Sequence, residues 1–539
     1  MVRSNGRLNV RNTFPLLIAA TFAAPLLGCE NEPAATSQND KVVFESELFI
    51  DGLTAQPTPV MTPLGDAYED VEPNPVVAVV EEPVSTFSID VDTVAYANVR
   101  RFLNEGALPP RDAVRVEEMI NYFDYAYDPP LDASEPFSAT TTVVPTPWND
   151  DTQLVHIAIK GYDIVDTERR PRANLVFLVD VSGSMQGPDR LPLLVQSLRL
   201  LVNALQPDDS VAIVTYAGSV GVALEPTPIA DKEKILAALD LLGAGGSTAG
   251  AAGIALAYDT ARAGFIDDGV NRVILATDGD FNVGISDTDQ LQDLIERERK
   301  SGVYLSVLGF GRGNLNDQMM QRIAQHGNGN AAYIDSLMEA KKALVDELDG
   351  TLFPIANDVK IQVEFNPAQV AEYRLLGYET RLLDREDFNN DKVDAGEIGN
   401  GHAVTAIYEI VPTASPFRWV DPLRYSADAA VEDDGGFGSE LAYLKIRYKL
   451  PGETTSTLMQ QPILAPDNDI RLTEASEDVR FAVAVAAYGE LLRDNVHLGT
   501  WEMGDVIDLA SNALGDDPFG YRREFVRLAD LAGSLRATQ

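Results

Sequence analysis

Cysteine, histidine and tryptophan are scarce in this sequence. Its 539 residues include one cysteine, four histidines and three tryptophans. A single cysteine cannot form a disulfide within the chain, and it cannot supply a thiolate metal site. The histidines His156, His326, His402 and His497 are scattered and form neither HExxH nor HxxxH. These shortages argue against a disulfide-rich fold and against a zinc-dependent hydrolase.

Positive charge is also in short supply. The chain has 42 lysines and arginines against 83 aspartates and glutamates, which gives a formal net charge of −41. Such a surface repels nucleic acid phosphates and disfavours lying flat on anionic lipid. We therefore expect no nucleic acid partner. The apolar fraction of 45% is enough to build hydrophobic cores, and the length predicts two or three domains.

Two further catalytic motifs are absent from the sequence. No GxxxxGK[ST] segment occurs, which excludes a P-loop nucleotide site in this chain. The nearest match to a serine nucleophile elbow is AGSVG at 217–221, where Ala217 replaces the first glycine. We expect that segment to form an ordinary turn. The protein is therefore predicted not to be an enzyme, and a hydrolase is the less favoured alternative.

The N-terminus has the pattern of an export signal. Three arginines precede the apolar run FPLLIAATFAAPLLG (14–28), which is too short to span a membrane. Cys29 follows directly, and LLGC (26–29) resembles a lipobox. That resemblance implies cleavage of the signal peptide 1–28 and acylation of Cys29, and several acyl chains on one residue give stable anchoring. We expect a lipid-anchored protein of the bacterial cell envelope, on either the inner or the outer membrane.

Four further regions are predicted after the signal peptide. Residues 29–84 are rich in Pro, Glu, Asp, Thr and Ala, and predict a disordered tether with a reach of roughly 40 Å. Residues 85–170 predict an α+β region. Residues 171–350 alternate strand and helix, which predicts a doubly wound, mostly parallel α/β sheet. Residues 351–539 predict an antiparallel β unit followed by helices.

Oxygen-bearing side chains follow two of the predicted parallel strands. LVFLVDVSGSM (175–185) runs from an apolar strand into Asp180, Ser182 and Ser184, and Asp278 ends a second apolar strand. Thr248 lies in GAGGSTAG, just before a predicted helix. Carboxylate and hydroxyl oxygens without nearby histidine or cysteine suit a hard divalent cation such as Mg²⁺. The alternative for the first segment alone is an Asx turn that caps a helix.

These five residues resemble the metal-ion-dependent adhesion site of von Willebrand factor A domains. The resemblance implies that Ser182, Ser184 and Thr248 bind Mg²⁺ or Mn²⁺ directly, while Asp180 and Asp278 act directly or through water. It also implies that a carboxylate from a protein partner takes the open position on the metal. In that family the strand order reverses between the two strands that here end at Asp180 and Asp278, and ligands bind at such reversals.

The resemblance extends beyond the α/β region. The chain is similar to a family of bacterial von Willebrand A lipoproteins in six phrases: FSIDVDTVAYANVRRFLN, VRVEEMINYFDY, LVDVSGSM, GGSTAG, TDGDFNVG and DFNNDKVDAGEIGNGHAVTAIYEI. That family implies an envelope-anchored protein that binds protein partners through its metal site. An assembly or chaperone subunit that serves a separate ATPase, and a passive structural lipoprotein, are the alternatives. The sequence leaves the oligomeric state open.

Three other acidic segments are predicted not to bind metal. Asp90 and Asp92 are expected to form turns or helix caps. Asp280 is expected to be a loop residue. DFNNDKVDAGEIG (387–399) resembles a calcium loop, but Lys392 replaces the required glycine and Ile398 replaces the bidentate glutamate. We expect a polar hairpin-type loop there.

Overall fold

The computed structural model describes residues 65–131, 134–163, 170–246, 250–279, 288–421, 437–466 and 471–538. The predicted signal peptide, Cys29 and the first part of the predicted tether lie outside the described residues. None of the helices within these ranges has both the length and the apolar character that crossing a membrane requires.

Strands and helices alternate along the middle of the chain and cluster by type on either side of it. The strands within the described residues are β1 (Val77–Ala78), β2 (Val84–Ser88), β3 (Phe137–Pro145), β4 (Gln153–Gly161), β5 (Ala173–Asp180), β6 (Ser210–Tyr216), β7 (Val220–Pro228), β8 (Val270–Thr277), β9 (Val303–Phe310), β10 (Ala331–Ile334), β11 (Pro354–Phe365), β12 (Val370–Leu376), β13 (Gly396–Gly399), β14 (Ala403–Pro412), β15 (Glu440–Lys449) and β16 (Thr457–Leu464). The α-helices are α1 (Val94–Asn104), α2 (Val116–Ile120), α3 (Leu191–Ala204), α4 (Lys232–Asp240), α5 (Gly250–Ala263), α6 (Thr288–Arg299), α7 (Asp317–His326), α8 (Leu337–Lys341), α9 (Leu348–Leu352), α10 (Glu477–Leu492), α11 (Met503–Ser511) and α12 (Tyr521–Arg536).

The central sheet has the order β10-β9-β8-β5-β6-β7, and all of its pairs are parallel except β6 with β7. Every residue of β5 is buried, which is why this strand reads as a continuous apolar run in the sequence. Helices cover both faces, with α3 and α4 packed on one and α5 and α7 on the other. The predicted doubly wound, mostly parallel α/β sheet is confirmed.

Strands from before and after the central sheet share two antiparallel sheets. One has the order β1-β12-β14-β4-β3, and the other has β13-β11-β15-β16 with β2 also paired to β11. Their facing sides form one apolar core that includes Phe87 and Ile157 from the earlier part and Val363 and Ile446 from the later part. The predicted α+β and β-plus-helix regions are both present. Their strands, however, pair with each other, so the central α/β region is inserted between two halves of one β structure.

Helices from before and after the central sheet form a second common core. Helix α10 begins where the Ser476 side chain accepts a hydrogen bond from the Val479 N–H at 3.2 Å, a typical N-cap. From Phe481 to Leu492 every residue of α10 is buried. It packs with α11 and α12 and with α1 and α2 from the earlier part. The closing helices therefore depend on residues almost 400 positions earlier in the sequence.

The last helix of the central region differs from its prediction. The pattern predicts one helix over 336–348, but a π-helical turn at Lys342–Asp346 separates α8 from α9. Two ion pairs join residues that are five positions apart, Lys341 with Asp346 and Lys342 with Glu347, each at 2.5 Å. A π turn brings such residues together because its backbone hydrogen bonds also span five residues.

The tether prediction is wrong for residues 65–84. Asp66 accepts hydrogen bonds from the Gly313 and Leu315 N–H groups at 2.8 and 3.1 Å, and it pairs with Arg101 at 2.5 Å. Strand β1 then adds to the edge of β12. The composition of this stretch suggests disorder, but these contacts to distant residues are enough to order it on the folded body.

Buried arginines join the central region to its neighbours. The Arg100 guanidinium contacts Asp335 at 2.5 Å, Glu339 at 2.7 Å and Glu524 at 3.2 Å. Arg100 itself is in α1, whereas its partners belong to the central region and to α12. One side chain thus links the three parts of the chain. A second arginine, Arg115, is ion-paired in the same way with Asp317 of α7 at 2.6 Å.

Candidate functional site

The candidate site lies where two neighbouring strands of the central sheet end. Strand β5 ends at Asp180, and Asp278 follows the last residue of β8. The two strands are parallel neighbours in register from Ala173 to Val179. The chain continues from β5 to β6 on one side and later returns to β8 on the other, so the strand order reverses between β5 and β8. This is the crevice where doubly wound sheets bind ligands.

The loop after β5 brings three polar side chains together. Asp180 Oδ1 accepts a hydrogen bond from the Ser182 N–H at 2.8 Å, which forms an Asx-type turn. The hydroxyl groups of Ser182 and Ser184 lie 2.9 Å apart. Met185 is fully buried and anchors the loop in the core. The Asx turn, one of the two interpretations of this segment, is therefore present. It holds the Ser182 and Ser184 hydroxyl groups side by side.

The segment that carries Thr248 approaches this loop from the other side. The Gly183 N–H donates to the Gly246 carbonyl at 3.0 Å, and the Gly245 N–H donates to the Val181 carbonyl at 2.7 Å. Thr248 itself, and also Asp280, lie outside the described residues. The described residues thus bring four of the five predicted site residues to one crevice, namely Asp180, Ser182, Ser184 and Asp278.

The Asp180 carboxylate is held in a buried position. Its Oδ2 accepts a hydrogen bond from the Thr277 hydroxyl at 3.4 Å. The pKa of Asp180 is raised to about 6, mainly by burial and in part by the nearby Asp278 carboxylate. Burial also raises the pKa of the neighbouring Tyr216 hydroxyl, and Asp180 adds to that rise. Two carboxylates this close in a buried crevice are stabilised by any cation that enters between them.

Arg190 is the cationic side chain at this crevice, and the sequence analysis did not find it. Its Nη1 lies 3.4 Å from Asp278 Oδ2 and also donates to the Ser184 carbonyl. Its Nη2 donates to the Arg312 carbonyl at 2.8 Å. A residue just before a helix gives no sequence signal for such a role, because arginine is common at exposed positions of this kind.

The donor set suits a hard cation. Carboxylate and hydroxyl oxygens converge here, and these are the ligands that magnesium and manganese prefer. Within the ranges that the structure describes, no three His, Cys, Asp or Glu side chains come together in a group that could hold a metal. The fit therefore depends on Ser182 and Ser184, whose neutral hydroxyl groups supply donors beside the two carboxylates. With these hydroxyls counted, the residues present fit a divalent ion.

Close packing against a neighbouring loop fixes the position of Asp278. Gly279 has a φ of +88°, and a Cβ at this position would lie 2.5 Å from the Asn314 carbonyl oxygen and 2.8 Å from Leu315 Cα. We expect Gly279→Ala to lower the free energy of unfolding by about 1–3 kcal/mol, because both the backbone conformation and the space exclude a side chain. Chemical denaturation measures the loss.

A matched control for that substitution is Gly313→Ala. Gly313 has a φ of +84°, but nothing lies within 4 Å of a Cβ built there. The control therefore carries the backbone strain alone and should lose clearly less stability than Gly279→Ala. Equal losses in the two variants would contradict the close packing at Gly279.

Asp90 and Asp92 form a buried ion-pair cluster outside the site. Asp90 Oδ1 accepts a hydrogen bond from the Asp92 N–H at 2.9 Å, which matches the predicted turn. Both carboxylates also pair with Arg381, at 2.9 and 3.1 Å. Asp92 further accepts from the Ala331 N–H at the start of β10. The sequence analysis missed Arg381 because it lies almost 300 residues further along the chain.

Lysine ammonium groups fill the loop that resembles a calcium site. Lys360 Nζ donates to the carbonyls of Asp387 and Asn390 at 3.1 and 2.7 Å. Lys449 Nζ donates to the Asp391 carbonyl at 2.7 Å. These carbonyls already have cationic partners, as expected of a polar loop. The loop is not of the predicted hairpin type, because it leads to β13, which pairs with β11 and not with β12. AGSVG (217–221) likewise forms the β6–β7 hairpin turn, in agreement with its prediction.

Comparisons with known proteins cover most of the chain. Three family models match it: von Willebrand factor at residues 63–156, von Willebrand factor type A domain at 174–347, and Uncharacterized protein YfbK, C-terminal, at 350–535. The uncharacterized protein YfbK of Escherichia coli strain K12 is 46% identical over 497 residues, which are 91% of this chain and 85% of that protein.

More distant similarities cover less of the chain or are weaker. Inter-alpha-trypsin inhibitor heavy chain H2 of Mus musculus is 23% identical over 35% of this chain and 20% of that protein. A solved structure, von Willebrand factor type A from Catenulispora acidiphila, is 15% identical over 74% of this chain and 91% of that chain, with a TM-score of 0.38. The similarity to the Escherichia coli protein thus spans all three parts of the chain.

Proposed function

Because the chain belongs to the YfbK family of bacterial proteins that contain a von Willebrand factor type A domain, we propose that it binds a protein partner through a divalent metal ion. The ion is Mg²⁺ or Mn²⁺, and its site is the crevice between the ends of β5 and β8. The observation that carries this proposal is the convergence of Asp180, Ser182, Ser184 and Asp278 at that crevice. Thr248 completes the proposed ligand set on the strength of the family resemblance.

The mixed donor set supports a role in binding acidic groups. When bound, the ion acts as a Lewis acid that attracts a carboxylate oxygen from the partner. Hydroxyl donors are neutral, so they leave more of the ion's charge available than a shell of carboxylates does. With Arg190 beside Asp278, the two carboxylates balance only part of that charge. An acidic side chain of a protein partner is therefore the ligand that this site fits best.

A binding role is proposed in preference to catalysis. Burial keeps the Tyr216 hydroxyl protonated by raising its pKa, so it is a poor nucleophile. Burial also lowers the pKa of His156 and of His402 to about 4, so both are neutral near pH 7. His156 lies in β4, and His402 immediately precedes β14 of the same sheet, so neither belongs to the central sheet. The contacts described above for Asp180 and Asp278 are with Ser182, Thr277 and Arg190.

We also propose that the protein is exported and held in the cell envelope by lipid on Cys29. The basic, apolar and LLGC segments that end at Cys29 support this part of the proposal. Anchoring at Cys29 would confine the protein to one membrane, so the proposed partners lie on or near that membrane.

The test is capture of envelope proteins by the immobilised protein. We expect detergent-solubilised envelope extract to yield a partner in the presence of Mg²⁺ or Mn²⁺ and not in EDTA. The partner should also be lost with Ser182→Ala, which removes one donor of the 2.9 Å hydroxyl pair. Ser219→Ala is the matched control, because Ser219 is exposed in the β6–β7 turn, and it should capture as the native protein does. Recovery of the same proteins in EDTA and with Ser182→Ala would contradict the proposal.

A further inference from the structure

Arg190 contacts three of the loops that border the candidate metal site. Through Nη1 it contacts Asp278 Oδ2 at 3.4 Å and the Ser184 carbonyl, and through Nη2 it contacts the Arg312 carbonyl at 2.8 Å. Its side chain is 17% exposed, whereas that of Asp278 is fully buried. A permanent positive charge therefore lies beside one of the two carboxylates of the site.

The local backbone is arranged around this side chain. Arg190 immediately precedes α3 with φ −123° and ψ −115°, outside the strand and helix regions. On the facing loop, Gly311 has a φ of +73°, and a Cβ there would lie 2.9 Å from Arg190 Cδ. Residue 311 thus has to be small for Arg190 to lie across the mouth of the crevice. The fold therefore determines the position of the guanidinium group.

We propose that Arg190 is an internal counter-charge that limits how tightly the site holds its metal ion and so keeps that ion receptive to an acidic partner. This inference rests on the proposed metal site. Without Arg190, Asp180 and Asp278 would present two negative charges to a divalent cation. With Arg190 beside Asp278, the net charge of these three side chains is about −1 instead of −2. The metal affinity of oxygen-ligand sites depends on the number of charged ligands.

The effect of this charge on affinity has a definite sign. A unit positive charge about 6 Å from a divalent ion weakens binding of the ion by about tenfold when solvent screens the two charges as bulk water does. The same charge adds to the attraction of an incoming carboxylate. A purely structural role for Arg190 predicts the opposite sign, because loss of its contacts to the Ser184 and Arg312 carbonyls would loosen the loops and weaken metal binding. The two roles are therefore separated by the direction of one measurement.

The experiment is a Mn²⁺ titration of the purified full chain by isothermal titration calorimetry, with Mn²⁺ alone as the probe. Arg190→Gln removes the charge and is expected to tighten Mn²⁺ binding by about tenfold. Arg190→Lys keeps the charge and is expected to stay within about threefold of the native protein, although it loses the fork geometry. Arg190→Met keeps the aliphatic stem without the charge, and it replaces Arg190→Gln if that variant does not fold.

Arg312→Gln is the matched control for net charge. The Arg312 side chain is 62% exposed and pairs with Glu105 rather than with Asp278. Its removal changes the charge of the chain by the same amount, and we expect it to alter Mn²⁺ affinity by less than about twofold because solvent and salt screen it. Tightening by Arg312→Gln equal to that of Arg190→Gln would overturn the inference.

The remaining outcomes are equally decisive. If the native chain binds Mn²⁺ and the uncharged Arg190 variants bind it equally or more weakly, the inference fails while the proposed function stands. If the native chain binds no Mn²⁺ at all, the proposed function fails and this inference fails with it.

Discussion

An Arg100→Ala variant is expected to lose about 3–5 kcal/mol of the free energy of unfolding, because it leaves buried carboxylates without their cation. Arg100 is only 3% exposed. Its Nε and Nη2 form a two-pronged contact with Asp335 at 2.8 and 2.5 Å, and Nη1 donates to the Tyr122 hydroxyl at 3.0 Å. The Glu339 carboxylate, with a side chain 1% exposed, also depends on it.

Chemical denaturation of the purified protein measures this loss, and Arg111→Ala is its control. Arg111 pairs with Asp494 at 2.8 Å, but the two side chains are 65% and 51% exposed. Exposed pairs of this kind contribute little, so we expect no measurable change in that variant. Since Arg100 joins α1 to the central region and to α12, a large and cooperative loss would show that the three parts unfold together. Equal changes in the free energy of unfolding of Arg100→Ala and Arg111→Ala would contradict that conclusion.

The second large effect is expected from Asp180→Asn, which should weaken Mg²⁺ or Mn²⁺ binding by about 100-fold or more. Loss of even an outer partner of a metal ligand typically costs 10–100-fold, and Asp180 supplies one of the two carboxylates at the crevice. The asparagine oxygen can still accept the hydrogen bond that Asp180 receives from the Ser182 N–H. The variant therefore changes the charge and largely keeps the shape.

The fold of the metal-free protein should survive this change. Burial raises the pKa of Asp180 to about 6. In the metal-free protein, ionisation of this side chain therefore costs stability as the pH rises from about 4 to about 6, and the full cost is present at pH 8. We expect metal-free Asp180→Asn to be at least as stable as the metal-free native protein at pH 8. Asp208→Asn, at an exposed position before β6, should change neither the stability of the metal-free protein nor its metal affinity. A variant that loses stability and metal affinity together would point to a structural role for Asp180 instead.

Periodicity was sufficient to predict the elements that build the site. Strands β5 and β8 are buried on both faces, so they stand out as apolar runs, and the polar residues that follow them mark the strand ends. The parallel arrangement then follows from the alternation with helices. For this reason the sequence alone predicts that Asp180 and Asp278, almost 100 positions apart, lie at one crevice.

The features that sequence patterns missed depend on contacts between distant residues. Strand β2 is a buried five-residue segment, VSTFS, and nothing in it identifies β11 as its partner. Arg190 and Arg381 resemble ordinary surface arginines until the fold places carboxylates beside them. Asp66 lies in a stretch whose composition suggests disorder, yet two backbone N–H groups from another part of the chain hold its carboxylate. Local sequence patterns do not reveal contacts between residues that are far apart in the chain.

Calorimetric titration of the purified native chain with Mn²⁺, beside Asp180→Asn, tests the central claim most directly. The account predicts one saturable site in the native protein and loss of that site in Asp180→Asn, with both proteins folded. Absence of Mn²⁺ and Mg²⁺ binding by the folded native chain, or equal binding by the variant, would contradict it.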